Sequence, residues 1–200
     1  DALVNVDFET RSTLDKKTVL QFIRMGTSGS LQTDLPIDSL LISTGGLGLD
    51  NLLHFYGAQE KAGISDALAM LLSHSGYSNV IPYFAEADDG LFQHFAKDGF
   101  EEGITASCPG FYAPQGRQIN YNLQGAPISQ ILSNFRWNNQ RITNLEMETS
   151  AMYALSRILG HQALSCNAIL ANRVSNQFSK DPHLVVDKLI QKSLALIELL

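Results

Sequence analysis

Short apolar runs alternate along the chain with segments whose apolar residues recur every three or four positions. The apolar runs have the length and the β-branched or aromatic content of strands, and we predict strands at 19–23, 40–44, 80–85, 103–108, 142–147 and 164–171. The periodic segments predict helices at 65–73, 89–97, 126–135, 149–159 and from 181 onward. Strands that alternate with helices predict an α/β fold with a central β-sheet flanked by helices.

Turn and capping residues refine these predicted elements. Gly160 is expected to end the helix at 149–159, and Asp181 followed by Pro182 is typical of a helix start. Pro82 predicts that the strand at 80–85 lies at a sheet edge or contains a bulge. The continuous apolar run 164–171 predicts a central strand. Residues 1–7 alternate polar and apolar, so we expect the chain to open inside a strand-like segment.

The composition indicates one globular domain over residues 1–200, because 44% of the residues are hydrophobic and no repeat or linker interrupts the chain. The formal net charge is −6 and no block of Lys or Arg is present, so we expect no nucleic-acid partner. No apolar run approaches the roughly 20 residues that span a bilayer, and no charged-then-apolar leader opens the chain. We therefore expect neither a membrane segment nor a signal peptide.

The cysteines indicate a cellular compartment, and the histidines bear on whether the chain has a metal site. Cys108 and Cys166 lie apart in small or apolar surroundings, which is typical of reduced thiols and indicates a cytoplasmic location. The five histidines also lie apart, and the sequence contains neither CxxC nor HExxH. We therefore expect no metal site.

Residues 24–30 (RMGTSGS) are the first candidate for chemistry. Glycines let backbone N–H groups approach an anion, the hydroxyls of Thr27, Ser28 and Ser30 add donors, and the guanidinium of Arg24 matches phosphate. The segment is neither a Walker A loop nor GxGxxG. Two interpretations are open: an anion site at the end of a strand, or an ordinary glycine turn between strands.

Residues 144–151 (NLEMETSA) place two carboxylates two positions apart. In an extended segment Glu146 and Glu148 would point to one face, where they need a ligand or an arginine to offset their repulsion. A carboxylate that accepts two hydroxyl hydrogen bonds suits a ribose diol. The alternative is that Glu148 and Thr149 only favour the start of the next helix through its dipole.

Residues 109–117 (PGFYAPQGR) combine an aromatic ring, an amide and a guanidinium. Phe111 offers a stacking face, Gln115 a donor and an acceptor, and Arg117 donors only. Together they match the edge of a uracil ring, although a polar surface loop would have the same composition. A further arginine, Arg173, follows the strand that ends at Asn172, where it could contact the same base or pair with Glu146.

Taken together, these four segments resemble the nucleoside phosphorylase family, and most of all its uridine phosphorylase branch. The family patterns R-[IVM]-G-T-[ST]-G, F-Y-x-x-Q-x-R, E-M-E-[ST]-[AS] and a strand ending in N-R stand here at 24–29, 111–117, 146–150 and 172–173. Their order and spacing agree over most of the chain. The resemblance implies a phosphorylase/hydrolase-like fold with a mixed central sheet.

The resemblance also implies a role for each matching residue. Phosphate would be bound by Arg24, Gly26 and Thr27. The ribose would be bound by Thr27, Met147 and Glu148. The base would be bound by Phe111, Gln115, Arg117, Leu170, Ala171 and Arg173. The catalytic residues would be Arg24, Thr27, Gln115, Arg117 and Glu148.

The implied reaction is phosphorolysis of uridine or a related pyrimidine nucleoside to uracil and ribose 1-phosphate. Purine-specific relatives carry an Asp where this chain has Arg173, and a cation suits a uracil anion better. Inorganic phosphate would be a co-substrate, and no cofactor would be required. Two alternatives are a purine nucleoside phosphorylase or nucleosidase of the same fold, and a catalytically silent nucleoside-binding fragment.

Two further expectations come from the resemblance. Family members carry another phosphate loop on their first strand, a His before it, and an Arg lent by a neighbouring subunit. We therefore expect that the N-terminal strand and phosphate loop are missing from this chain. The family assembles as homodimers or as hexamers built from three dimers, and the apolar residues Leu52, Leu53 and Phe55 could supply an interface.

Overall fold

The computed structural model describes residues 1–57, 63–120, 122–123 and 125–200. The strands in these residues are β1 (Val6–Asp7), β2 (Ser12–Thr13), β3 (Gln21–Ser30), β4 (Leu40–Gly48), β5 (Tyr83–Glu86), β6 (Glu101–Ser107), β7 (Arg136–Trp137), β8 (Gln140–Glu146), β9 (Gln162–Asn172) and β10 (Gln177–Phe178). The helices are α1 (Ala2–Asn5), α2 (Leu52–Phe55), α3 (Gly63–His74), α4 (Asp89–Ala96), α5 (Ile128–Asn134), α6 (Thr149–Leu159) and α7 (Pro182–Ile197). A single 3₁₀ turn covers Ala113–Gln115.

The central sheet is mixed and closes on itself. Its order is β10-β9-β3-β8-β6-β4-β5, and the first residues of β4 also pair with β9. Strands β3, β8, β6, β4 and β9 therefore form a closed ring of pairings. The β3–β9, β6–β8 and β4–β6 pairs are parallel, whereas β3–β8 and β4–β9 are antiparallel. This arrangement confirms the predicted α/β class and adds the closure.

Helices pack on the sheet from several sides. Helices α3 and α5 bury leucines and isoleucines against β4, β6 and β8, and helices α4 and α7 bury theirs against β4 and β9. Helix α6 packs across β4 and β9, where Tyr153 is buried. No helix in the described part of the chain is long and apolar enough to cross a membrane.

Most of the predicted elements are present near their predicted positions. Helix α6 has the predicted bounds and ends at Gly160, whose φ is +75°. Helix α7 begins at Asp181, whose carboxylate accepts a hydrogen bond from the N–H of Leu184. Strand β9 is central, as its apolar run predicts, and strand β5 lies at a sheet edge directly after Pro82.

The structure corrects three predictions in the first part of the chain. Residues 1–7 do not form an extended segment: α1 precedes β1, because Asn5 donates to the Asp1 carboxylate (2.7 Å) and bonds to the backbone of Thr18. The strand predicted at 19–23 continues to Ser30. Leu53, expected on an interface, is a buried core residue, whereas Phe55 is 85% exposed.

Candidate active site

A cavity of about 520 Å³ lies where the ends of three strands meet. Gly29 of β3 is the common point, because its register partners are Leu145 of β8 and Ala171 of β9. The segment that follows β6 contributes the remaining wall. The lining residues are Arg24, Gly26, Thr27, Ser28, Gly29, Phe111, Gln115, Arg117, Leu145, Glu146, Met147, Glu148, Leu170, Ala171 and Arg173. Every residue to which the sequence assigned a site role is therefore in one cavity.

The first wall is built by Arg24, whose side chain lies along β3 over Gly26. A Cβ at Gly26 would lie 2.4 Å from the Arg24 Nη1 atom, so only glycine leaves room for this position of the guanidinium. Nη1 donates to Asn167 Oδ1 (3.0 Å), and Nη2 lies 2.6 Å from Glu148 and 3.1 Å from Glu146. The glycine thus fixes where the positive charge lies.

The segment 24–30 is not a turn between strands, which corrects the second of the two sequence interpretations. It is part of β3 and pairs with β9 along its length, with a register shift between Ser28 and Gly29. Its glycines make room for arginines: a Cβ at Gly29 would lie 2.8 Å from the Nε atom of Arg173. Gly26 and Gly29 are therefore two points where guanidinium groups lie on a strand.

The two glutamates differ in environment. Glu146 ends β8, is buried, and accepts hydrogen bonds from the hydroxyl of Ser107 (2.5 Å) and from the N–H groups of Glu148 (2.9 Å) and Thr149 (3.0 Å). It therefore satisfies the start of α6. Glu148 is the residue that precedes α6, and 58% of its side chain is exposed.

The two carboxylates do not extend from one face of a strand, as predicted, because the chain turns into α6 between them. They meet instead at the Arg24 guanidinium. Glu146 is saturated by protein donors, whereas Glu148 is open to the cavity. Glu148 is thus the carboxylate that a ligand can reach.

The opposite wall is a cluster of two arginines around one glutamine. Gln115 ends the 3₁₀ turn and is only 3% exposed. Its Oε1 accepts from Arg117 Nη1 (2.6 Å) and from Arg173 Nη2 (2.7 Å). The Arg117 guanidinium also donates to the Phe111 carbonyl and lies 3.7 Å above the centroid of the Phe111 ring. This contact is a cation–π interaction.

Burial makes this cluster less basic than free arginine. Burial, together with the neighbouring charge of Arg117, lowers the pKa of Arg173 to about 10. Burial also lowers the pKa of Arg117. Arg173 remains a cation near neutral pH, since its pKa still lies about three units above neutrality. The lining contains three guanidinium and two carboxylate groups, so its charge is positive overall.

The other predicted residues form less polar parts of the lining. Leu170 and Ala171 supply apolar surface from β9, and Met147 lies between the two glutamates along the chain. Thr27 is exposed, and its hydroxyl makes no hydrogen bond to another described residue. Asn172 has a structural role, because its side chain bonds to the Gln32 carbonyl and to the N–H groups of Val174 and Ser175.

Four lining residues were not among the assigned site residues: Ser28, Gly29, Leu145 and Glu146. The signal for Glu146 was its spacing from Glu148, and Ser28 and Gly29 lie inside the segment singled out at 24–30. Leu145 carries no sequence signal beyond its place in a predicted strand. Among the described residues, no group of three His, Cys, Asp or Glu side chains could hold a metal ion.

The chain is similar to several known proteins. The profile of the phosphorylase superfamily matches residues 4–200. A uridine phosphorylase of Thermococcus kodakarensis is 30% identical over 159 residues, which cover 80% of this chain and 51% of that protein. A uridine phosphorylase of Haemophilus influenzae is 22% identical over 170 residues, covering 82% of this chain and 58% of that protein.

A solved structure has the same fold. The Trypanosoma brucei nucleoside phosphorylase, described as showing uridine phosphorylase activity, superposes with a TM-score of 0.78 at 23% identity. The match covers 98% of this chain and 72% of the trypanosomal one. The chain spans a little over half the length of the two uridine phosphorylases described above.

Proposed function

We propose, from the premise that this chain belongs to the phosphorylase superfamily, that it cleaves uridine or a related pyrimidine nucleoside with inorganic phosphate. The products would be uracil and ribose 1-phosphate. The observation that carries the proposal is the cluster of Arg117 and Arg173 around the buried Gln115. A leaving uracil bears negative charge on its carbonyl oxygens, and two fixed cations would stabilise that charge.

At the base end, the amide of Gln115 provides the recognition we propose. Its oxygen is occupied by two guanidinium groups, whereas its Nε2 donates to no described residue and is available for a ring carbonyl. The N3–H of uracil would take the place of one guanidinium on that oxygen. The released guanidinium would then donate to the second carbonyl. Phe111 would stack on the ring, and Leu170 and Ala171 would exclude water from it.

At the sugar and phosphate end, we assign Glu148 to the ribose hydroxyls and Met147 to the sugar face. Arg24, Thr27 and Gly26 are assigned to phosphate. The exposed carboxylate of Glu148 and the unbonded hydroxyl of Thr27 support these roles. Phosphate would displace Glu148 from Arg24, and Glu148 would then be free for the sugar.

In the proposed reaction a phosphate oxygen forms a bond to C1′ while the bond from C1′ to N1 of uracil breaks. The electron pair of the broken bond passes to the base, where Gln115, Arg117 and Arg173 stabilise it before a proton from solvent completes uracil. Most of the acceleration would come from positioning and from charges arranged in advance. The scheme uses no cofactor.

The proposal extends to assembly and location. We propose a homodimer or a hexamer of three dimers, in which Phe55, exposed at the end of α2, is available for an interface. Both cysteines are free and buried, which supports a cytoplasmic location.

The test is the release of uracil from uridine by this chain, in the presence and in the absence of phosphate. Ultraviolet absorbance measures the release. We expect uridine cleavage that requires phosphate and little cleavage of inosine. Arg24→Met should reduce the phosphate-dependent rate by about 100-fold, since it removes a charged ligand of the co-substrate.

The matched control is Arg141→Met. Arg141 also pairs with a carboxylate, that of Asp34 at 2.7 Å, but it lies outside the cavity. This variant should retain the wild-type rate. Cleavage at an equal rate without phosphate would identify a hydrolase, preference for inosine would identify a purine enzyme, and absence of any cleavage would favour a protein that only binds nucleosides.

A further inference from the structure

A buried chain of hydrogen bonds leads away from Arg24. Arg24 Nη1 donates to Asn167 Oδ1 (3.0 Å), and Asn167 Nδ2 lies 3.1 Å from Ser43 Oγ. Ser43 Oγ is 2.6 Å from Thr105 Oγ1, which donates to Asn144 Oδ1 (2.9 Å). These hydrogen bonds therefore connect one cavity residue to side chains that do not line the cavity.

These hydrogen bonds involve a side chain from every strand of the closed ring. The chain of bonds passes from β3 to β9, β4, β6 and β8, and it returns to β3 where Asn144 Nδ2 donates to Ser28 Oγ (2.7 Å). The four connecting side chains, those of Asn167, Ser43, Thr105 and Asn144, are all fully buried. Arg24 and Ser28, at its two ends, both line the cavity.

The hydrogen bonds of this chain all run in one direction. Each hydroxyl has a single hydrogen to donate. Since Thr105 gives its hydrogen to Asn144, Ser43 must donate to Thr105 and must accept from the Asn167 amide. The Asn167 amide is thereby oriented with its oxygen toward Arg24. A buried polar network with every member satisfied is rigid, because reversing one group would leave others unpaired.

We infer that Asn167 is a positioning residue for Arg24, held in its acceptor orientation by Ser43, Thr105 and Asn144. The inference rests on the proposed role of Arg24 in binding phosphate. Of the oxygen atoms around the guanidinium, that of the exposed Glu148 would be given up to the sugar. The buried oxygens of Glu146, Asn167 and Ser165 would then keep the guanidinium over Gly26 when phosphate arrives.

The sequence context supports a specific role for this asparagine. Residues 164–171 otherwise contain only apolar or small side chains, and an amide at a fully buried position costs free energy unless its hydrogen bonds are made. Asn167 is the register partner of Gly26 on β3. It is therefore beside the point where the missing Cβ lets the guanidinium cross the strand.

The test is binding of inorganic phosphate by calorimetry, together with the KM values for phosphate and uridine. Asn167→Leu keeps the size of the side chain and removes its acceptor. We expect about tenfold weaker phosphate binding and a matching rise in the KM for phosphate, with the KM for uridine changed less than about twofold.

The control is Gln32→Met, which removes another buried amide. Gln32 Nε2 donates to the carbonyls of Ile142 (2.6 Å) and Ser133 (3.2 Å), outside the cavity. This variant should lose stability and keep wild-type phosphate affinity. A second pair of variants tests the buried hydrogen bonds behind Asn167. Thr105→Val should weaken phosphate binding severalfold, whereas Thr105→Ser should not.

Each result has a definite meaning. The inference would be overturned if both Asn167→Leu and Thr105→Val bound phosphate with wild-type affinity. It would also be overturned if the unmutated protein bound no phosphate. If Asn167→Leu fails to fold, Thr105→Val decides alone. Phosphate binding that depends on Asn167 in a chain that leaves uridine intact would sustain the inference and refute the proposed function.

Discussion

At the scale of single residues, two glycines, which have no side chain, determine where the guanidinium groups of Arg24 and Arg173 lie. Arg24 crosses β3 over Gly26, and Arg173 crosses it over Gly29. A strand normally places its own side chains at these points. The two glycines remove them, so the guanidinium groups can lie on the strand and reach their partners on β8 and β9, directly before α6 and in the 3₁₀ turn. Glycine here provides space rather than backbone freedom.

Replacing Gly26 by alanine tests this role. The new Cβ would lie within 2.6 Å of three atoms of the Arg24 guanidinium, so the side chain must move away from Asn167 and the glutamates. Because the displaced group is the end of a flexible side chain, we expect the free energy of unfolding to change by less than about 1 kcal/mol. The phosphate-dependent rate should fall by at least about tenfold.

Urea denaturation measures the first quantity and the uracil assay the second. A large loss of stability would mean that Gly26 matters for the backbone. An unchanged rate would mean that the observed position of Arg24 is not needed for activity.

At the scale of secondary structure, helix α6 is held close to β4 by contact between backbones. A Cβ at Gly46 would lie 2.6 Å from Ser150 Cα and 2.7 Å from its nitrogen. The first turn of α6 is also bonded to β6 and β8, since the N–H of Ser150 donates to Ser107 and that of Thr149 to Glu146. The close approach thus sets where the helix begins, and Glu148 precedes that point.

Gly46→Ala should therefore behave unlike the substitution at Gly26. A backbone cannot move aside as a guanidinium can, so the whole start of α6 must shift. We expect a loss of at least about 2 kcal/mol in the free energy of unfolding, typical of an overpacked core. Urea denaturation of this variant beside Gly26→Ala provides the comparison, because the two changes add the same methyl group. Equal stabilities would contradict the contrast.

At the scale of the whole molecule, the fold brings cavity residues from distant parts of the sequence into contact. Residues far apart in the sequence come together: Arg24 meets Asn167, and Gln115 meets Arg173. The two cysteines belong to the closed ring of strands, because Cys166 lies on β9 and Cys108 follows β6 directly. Both thiols are buried and free.

The reactivity of the two thiols can show whether the folded chain unfolds locally around them. Burial raises the pKa of both Cys108 and Cys166 to about 12, and the thiolate is the reactive form. We expect the native chain to react with Ellman's reagent at pH 8 only as fast as it unfolds. In urea above the unfolding midpoint it should release two equivalents at once. Rapid labelling of one thiol in the native chain would reveal local opening near that cysteine.

The sequence was sufficient for features that depend on neighbouring residues. The bounds of α6, its end at Gly160 and the start of α7 at Asp181 follow from local periodicity and capping. The gathering of the assigned residues in one cavity was predicted through the resemblance.

Features that depend on partners far along the chain could not be predicted. Residues 26–30 form a strand because β9 pairs with them, and β8 pairs with the last two, although glycine has a poor intrinsic preference for strands. The same limit applied to the ring closure and to the contact of Arg24 with Asn167, since no local pattern distinguishes that asparagine from a turn residue.

The pairing of β3 with β9 also has a consequence for synthesis of the protein. Gln21 and Gln162 lie side by side in the structure but are separated by 141 positions in the chain. At ribosomal rates of about 5–20 residues per second, β3 waits roughly 7–28 seconds for its partner. During that interval its edges are open to other chains, so the nascent protein should depend on chaperones more than a helical bundle of equal length would.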